Sequence, residues 1–537
     1  MGRIELLDCT LRDGAYIVDG NFGETQISGI IAELNRARID VIECGWLKNS
    51  LHEDGSTYYH LPEDIRRYVK DNKVKSLAVM IDYNRYDDTV LPCNVDSIID
   101  IVRIVFPKGK VDEAIDIGER IRQKGYRIYF QMANTPGYQD EELLYAIKQI
   151  NLFNPETVSI VDTFGTMDQL NLERILSIFE YNLNRRIKIG FHSHNNQQMS
   201  FALSVQFVEW LLSHSKRDLV VDSSLMGMGR GAGNTCTELI AHYLNQRHFA
   251  NFDINRIMDC IDLYVANFAE NNRWGYSVQY ALAGIYGCHV NNVAYLNDVH
   301  RIKCKDMKLV FERMEKENRT GYNYEELEAK YCECISCEVD DKNALERLRQ
   351  LLEGKKVVLI LPGSTSEEKY EEVQQYIDKD TFTIGVNSVL NNYKYNLFFF
   401  TNEKKYDYYY NNIYEKDIPI MITSNVPLKM NEMVINYFDV IKGEWKYRDN
   451  STLMLLRILQ RLGVDNIGIV GFDGYNSGGM RYAEDTLVPS VSNQNELCLM
   501  QSDIEEMIID FCNSYIGKLR FLTESCYESC IDRINDC

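Results

Sequence analysis

With 537 residues, 45% of them hydrophobic and 26% charged, the chain is too long for one hydrophobic core, and at least two domains are expected. A formal charge of −21 argues against nucleic acid or an anionic membrane as the main partner, although a local Arg or Lys can still hold a small anion. No stretch approaches about 18 uninterrupted apolar residues, Met1 to Ile4 enters a strand without a charged leader, and 15 scattered Cys suit a reducing cytoplasm better than a disulfide framework.

Over residues 1–290, apolar β-branched runs occur at 4–11, 41–46, 76–82, 101–106, 127–133, 157–164, 187–194 and 219–226. Amphipathic stretches lie between them, at 25–38, 111–124, 140–150, 169–183 and 197–213. Eight strands alternating with helices predict a parallel sheet closed as a (β/α)8 barrel, with an open doubly wound sheet as the alternative. A barrel carries its chemistry where its strands end. Thr10, Arg12 and Asp13 follow the first strand, Glu43 lies in the second, Arg103 in the fourth, Gln131 near the end of the fifth and Asp162 at the end of the sixth. His192 and His194 close the seventh. Alternation along a strand points both imidazoles the same way, as a divalent metal requires, and Asp13 offers a third ligand. After the eighth strand, Gly227-Met228-Gly229-Arg230-Gly231-Ala232-Gly233-Asn234 lets the backbone approach a ligand closely.

Residues 291–352 are charge-rich and helical in pattern, and they read as a connecting region. Lys355 to Ser364 then opens a third segment, 353–537: a buried strand, a Gly363-Ser364 turn and an acidic helix start. Further strands are expected at 382–387, 397–402, 418–423 and 467–472, a Rossmann-like layout. Residues 493–521 are expected to form one amphipathic helix that packs on this domain or on another subunit of a homo-oligomer.

Asp8-Cys9-Thr10-Leu11-Arg12-Asp13-Gly14, His192-Ser193-His194-Asn195 and the glycine loop 227–234 resemble the signature of the metal-dependent aldolase and Claisen-condensing barrel family. Within that family the chain looks most like the 4-hydroxy-2-oxovalerate aldolases. The resemblance implies that Asp13, His192 and His194 are metal ligands with Asn234 a fourth, and that Arg12 is the cation that stabilises an enolate. It implies Mn²⁺ as the ion, with Mg²⁺ or Co²⁺ as substitutes, and a 2-oxo acid and an aldehyde as substrates. Thr10, Glu43, Arg103, Gln131 and Asp162 are the expected substrate-binding set. Where those aldolases carry an acid–base His, this chain has Tyr16, whose ordinary pKa near 10 makes it a donor rather than a base. Tyr280 resembles the aldolases' further catalytic Tyr, while His289 reads as a structural residue. Gly363-Ser364, Val386-Asn387-Ser388 and Gly471-Phe472-Asp473-Gly474-Tyr475 resemble, more loosely, Rossmann-like domains of sialyltransferase-like and surface-polysaccharide proteins. That likeness implies a nucleotide or sugar ligand near Gly363, Asn387 and Asp473.

The expected protein is thus a cytoplasmic lyase or condensing enzyme acting through a 2-oxo acid enolate, or a related acyltransferase. Its fused C-terminal domain suggests polysaccharide precursor synthesis. A non-haem iron oxygenase, which shares the two-His, one-carboxylate pattern, and a catalytically inactive scaffold are the alternatives.

Overall fold

Strands covered on both faces read as unbroken apolar runs, and the eight runs are eight strands in the computed structural model. They are β1 (Ile4–Asp8), β2 (Val41–Leu47), β3 (Leu77–Asp82), β4 (Ile101–Phe106), β5 (Arg127–Met132), β6 (Thr157–Asp162), β7 (Lys188–Ser193) and β8 (Leu219–Ser223). The structure describes residues 2–70, 74–272, 274–300, 302–335, 339–414, 417–442, 445, 447–474 and 494–535. It divides into two compact units, Met1–Ala294 with Phe311–Asn323, and Tyr295–Val310 with Tyr324–Cys537.

In the first unit each strand pairs in parallel with the next, and β1 closes the ring by pairing with both β8 (Ile4 opposite Leu219) and β2 (Leu7 opposite Val41). This is an eight-stranded parallel barrel. Tyr58–Tyr59 adds a two-residue strand beside β2. The intervening helices include Glu24–Arg36, Val111–Gln123, Asp140–Phe153, Gln169–Asn182 and Ser200–His214. Their apolar stripes share one large core with the strand residues that face them, such as Leu6, Ile42 and Val79.

The two-residue period of the strands stacks the interior in layers. Leu7, Val41, Ala78, Ile101, Tyr129 and Val220 form a separate buried cluster that plugs the barrel. Two residues earlier along their strands lie Glu5 and Arg127, which join Lys188 and Glu156 in a polar network: Lys188 Nζ donates to Glu5 (2.8 Å) and Glu156 (2.9 Å), and Arg127 Nε to Glu156 (2.5 Å). Burial opposes the charge of Glu156, but the hydrogen bonds from Arg127 and Lys188 win and hold its carboxyl down at about 2. Two residues beyond the plug, towards the carboxyl ends, come Glu43, Arg103, Gln131 and Asp222, all buried. That polar layer is the floor of the barrel mouth.

The second unit contains β9 (Lys356–Ile360), β10 (Thr381–Val386), β11 (Leu397–Phe400), β12 (Ile420–Thr423), β13 (Met433–Ile435), β14 (Asn466–Val470) and β15 (Lys518–Phe521). All pair in parallel, in the order β13-β12-β11-β10-β9-β14-β15. Successive residues of β9 face opposite apolar clusters, Val357 and Leu359 one, Val358 and Ile360 the other, so both faces of the sheet are covered. The single helix expected at 493–521 is a correction: the helix is Gln494–Ser514, residue 493 lies outside the described residues, and Lys518–Phe521 is a strand. Its Lys-Leu-Arg-Phe alternation, with Leu519 buried between exposed Lys518 and Arg520, is the strand period at a sheet edge. Among the described residues no helix is long and apolar enough to cross a membrane.

Candidate metal centre

β1 stops at Asp8 because Asp8 Oδ1 accepts the Thr10 backbone N–H (2.9 Å) and turns the chain into a single helical turn, Thr10–Asp13. The turn is pinned from two sides. Thr10 Oγ1 accepts from the Leu225 backbone N–H (2.8 Å), and Trp46 Nε1 donates to the Arg12 carbonyl (3.2 Å). Arg12 and Asp13 are thereby fixed at the barrel mouth beside β7, whose last turn outward carries His192 and His194. One ligand atom each from Asp13, His192 and His194 lie within 4.8 Å of one another. The imidazole centroids are 5.1 Å apart with their planes 83° from parallel. His192 Nδ1 is 3.2 Å from Asp222 Oδ2, a contact that orients the ring and leaves Nε2 for a ligand.

The glycine loop closes over this cluster. Asn195 N–H donates to the Gly233 carbonyl (2.7 Å), His194 bridges to Asn234, and the Asn234 amide nitrogen donates to Asp13 Oδ2. At Gly229 a Cβ would stand 2.4 Å from Asn234 Nδ2 and 2.6 Å from Asp13 Oδ2, so a larger residue would displace both side chains. Asn234 Oδ1 is left buried with no partner among the described residues.

Burial works against the charge of Asp13, yet Arg12, His194 and His192 hold its carboxyl well below the usual carboxylate range. Burial pushes His194 down to about 4, so at neutral pH it is the uncharged imidazole that binds metals. Arg12 donates to Asp13 Oδ1 (2.5 Å) and Glu43 Oε2 (2.9 Å), and its charge is reinforced by both against the cost of burial. Three buried carboxylates, Asp13, Glu43 and Asp222, thus face two buried guanidiniums, Arg12 and Arg103. An unpartnered amide oxygen, two imidazole rings and three carboxylates against two guanidiniums together suit a divalent cation.

A cavity of about 100 Å³ opens on this cluster, lined by Arg12, Asp13, Tyr16, Gln131, His192 and His194 of the expected set. Glu43 and Arg103 lie beneath it: Arg103, 1% exposed, donates to Glu43 (2.8 Å), Gln131 (2.8 Å) and Asp222. The Thr10 hydroxyl is engaged by Leu225, and Asp162 caps the turn after β6 by accepting from the Thr166 (2.9 Å) and Met167 (3.1 Å) backbone, with burial pushing it up to about 6. Tyr280, in the helix Val278–Tyr286, does not line the cavity. Sequence reasoning missed Asp222, whose signal was an acid inside the apolar run Leu219-Val220-Val221-Asp222. It also missed Trp46 and Arg230, and it read His289 as structural, whereas His289 forms part of the cavity wall.

In the second unit Gly363, Asn387 and Asp473 line one cavity of about 970 Å³. Asp473 accepts from the Thr365 backbone N–H (3.1 Å) and hydroxyl, which fixes the turn after β9. Asn387 is tied to Thr401 in both directions, by Nδ2 to Oγ1 (3.0 Å) and by Oδ1 from N–H (2.9 Å). Tyr475 lies outside the described residues.

Residues 107–264 match the HMGL-like family model. The chain is 27% identical over 259 residues to oxaloacetate decarboxylase of Mycobacterium tuberculosis, covering 47% of this chain and 74% of that protein. It is 26% identical over 267 residues to 4-hydroxy-2-oxovalerate aldolase of Geobacillus genomosp. 3, covering 49% and 77%. Among solved structures, HMG-CoA lyase of Bacillus subtilis aligns with 15% identity and a TM-score of 0.40 over 50% of this chain and 94% of that one. The N-terminal half of the chain resembles the pyruvate aldolase/HMG-CoA lyase family.

Proposed function

We propose that the barrel is a divalent-metal-dependent carbon–carbon lyase or condensing enzyme acting through the enolate of pyruvate or another small 2-oxo acid. The observation that carries this reading is the convergence of Asp13, His192, His194 and Arg12 on one small cavity. The aldolase and decarboxylase relatives support it. Asp13, His192 and His194 would hold the ion, with Asn234 Oδ1 available as a fourth donor. Bound there, Mn²⁺, Mg²⁺ or Co²⁺ supplies Lewis-acid stabilisation of the charge that develops on the keto oxygen of a 2-oxo acid. Arg12 places a second, permanent positive group at that oxygen. In condensation a proton leaves the carbon next to the keto group, a bond forms from that carbon to the aldehyde carbon, and the aldehyde oxygen takes up a proton; cleavage reverses each step. Tyr16 suits the last transfer. It lines the cavity with 43% of its surface exposed, and desolvation at the site pushes its hydroxyl up to about 12, so it keeps a proton to share.

Proton NMR of pyruvate in deuterated water tests the reading. The Mn²⁺-, Mg²⁺- or Co²⁺-loaded protein is expected to exchange the methyl protons, and a loaded protein that exchanges none with any 2-oxo acid returns the barrel to a scaffold role. Tyr16→Phe is expected to keep exchange and lose condensation, because enolisation precedes the protonation that the hydroxyl serves.

For the second unit we propose a nucleotide or sugar ligand, and with it a role in polysaccharide precursor synthesis. The supporting observation is the position of the 970 Å³ cavity at the carboxyl ends of β9, β10 and β14, where the strand order turns back and open parallel sheets bind ligands. Calorimetric titration with CMP, UDP and UDP-glucose is expected to show binding of at least one, abolished by Gly363→Val, whose side chain would collide with the Gly471 carbonyl. No heat from any of the three counts against the reading.

A further inference from the structure

Arg230 stands in the glycine loop at the rim of the barrel cavity, half-buried. Its guanidinium lies 4.8 Å over the ring of Tyr16 and donates to the side-chain carbonyl of Asn291. Both partners are neutral. Arg12 and Arg103 are each bracketed by carboxylates, whereas among the described residues no ion pair engages Arg230. A guanidinium held in place by an amide and an aromatic face keeps its full charge, and its planar fork, for an incoming anion.

His289 faces the same cavity and is 9% exposed. Its ring is wedged between Phe164 (centroids 5.8 Å apart) and Tyr322 (4.7 Å), and its backbone N–H is tied to the Arg319 carbonyl (2.8 Å). His289 Nδ1 accepts from the Asn291 backbone N–H (3.1 Å) at the start of the helix Val290–His300. A neutral imidazole has one donor and one acceptor nitrogen, so an accepting Nδ1 leaves the proton on Nε2. Asn291 therefore sets both groups: its backbone fixes the tautomer of His289 and its side chain positions Arg230.

We infer that Arg230 and the Nε2–H of His289 form an anion subsite at the barrel mouth, and that the aldehyde partner of the reaction carries a carboxylate or phosphate group. This rests on the 2-oxo acid reading above. The space of about 100 Å³ beside the metal cluster has the size for one small 2-oxo acid. The partner's far end then falls at the rim, against Arg230, with its carbonyl oxygen beside Tyr16.

The test uses the full-length Mn²⁺-loaded protein and measures addition of pyruvate to succinic semialdehyde, glyceraldehyde 3-phosphate and uncharged butanal. One of the charged aldehydes is expected to be preferred over butanal, and which one tells carboxylate from phosphate. Arg230→Met, which keeps an apolar stem on Tyr16, is expected to cut that preference at least tenfold, about the loss of one charge-assisted hydrogen-bond partner. Arg230→Lys should recover part of the preference. His289→Phe should raise KM for the charged aldehyde, and His289→Gln, whose amide N–H can stand near the Nε2 position, should restore most of it.

An unchanged preference in Arg230→Met overturns the subsite, as does a wild-type preference for butanal. Loss of pyruvate proton exchange in Arg230→Met, measured without aldehyde, also overturns it by assigning the arginine to the 2-oxo acid. Calorimetry with succinate and inorganic phosphate is independent of turnover: binding of one should weaken at least tenfold in Arg230→Met, and equal binding by the two proteins overturns the subsite. A protein that binds the anion through Arg230 yet exchanges no pyruvate protons overturns the aldolase reading alone.

Discussion

Asp13→Asn and His192→Ala proteins are expected to emerge without the divalent ion that the unaltered chain retains, and to bind none when it is added back. Asp13 is the one anionic member of the cluster, so the amide of Asn removes the charge that attracts the cation while keeping the shape of the side chain. The fold should survive, since β1 is turned by Asp8 and Thr10 rather than by Asp13. His192 fails for a different reason. Its ring is oriented by Asp222, and Ala removes the ligand nitrogen outright. His194→Ala should behave like His192→Ala, whereas Asn234→Ala should only weaken binding, because a neutral amide oxygen contributes less than an anion. Elemental analysis reads metal content directly, with one ion per chain expected in the unaltered protein. Denaturation with and without chelator reads the linkage: an ion at about 1,000 times its dissociation constant stabilises the folded state by about 4 kcal/mol, and this increment should vanish in the two variants. Full metal content in both would eliminate the proposed centre.

The barrel was legible because a parallel sheet buried on both faces leaves an unbroken β-branched run for every strand, and β1 to β8 begin within one residue of the runs that announced them. Strand ends were less legible. The first run was expected to reach Leu11 but stops at Asp8, where a side-chain oxygen captures the Thr10 N–H and takes Thr10 and Leu11 into a helical turn. The eighth stops at Ser223, because the chain turns through Leu225–Gly227 with Met226 at φ 52°. In the second unit β13 is only three residues long and β15 is an edge strand flanked by helices, so neither carries enough pattern to be seen alone.

At the site, the grouping of Asp13, His192 and His194 was legible from types and spacing: two His on one face of a strand end, and an acid just past another. Asp222, Trp46, Arg230 and His289 were not. Asp222 sits one residue from the end of an apolar strand, and its importance comes from the pairing of β8 beside β7, which sets its carboxylate against His192. Arg230 looked like one more residue of a flexible glycine loop. His289 lies nearly a hundred residues from His194 in sequence, and only the return of the chain over the barrel mouth makes them neighbours. Substrate-facing roles assigned by layer also need the third dimension: Glu43 and Arg103 sit one residue pair below the cavity wall and act on it through Arg12 and Gln131.

Arg12→Lys is expected to keep the fold and the metal and to lose 10²- to 10³-fold in pyruvate proton exchange and in condensation, about 3–4 kcal/mol of transition-state stabilisation, the range found for removing one oxyanion donor. Arg12 is 5% exposed and spends two donors at once, Nη1 on Asp13 and Nε on Glu43, with its guanidinium 5.9 Å from the centroid of Trp46. Those bonds leave the remaining N–H groups of the planar fork aimed by the protein rather than by the substrate. Lysine preserves the charge that balances Asp13 and Glu43, so the buried carboxylates are not stranded and metal content should hold. Its single ammonium, however, must choose between the carboxylates and the developing oxyanion, and a group drawn to two buried anions is poorly placed for a third. Arg12→Met separates charge from geometry. It removes the cation outright, should cost at least as much activity as Lys, and should also lower stability, because among the described residues Glu43 then keeps Arg103 alone as its partner. Exchange rates from proton NMR, metal content and a denaturation midpoint on the same three proteins settle the role: near-normal exchange in Arg12→Lys would make the arginine a structural member of the barrel layer and leave oxyanion stabilisation to the ion.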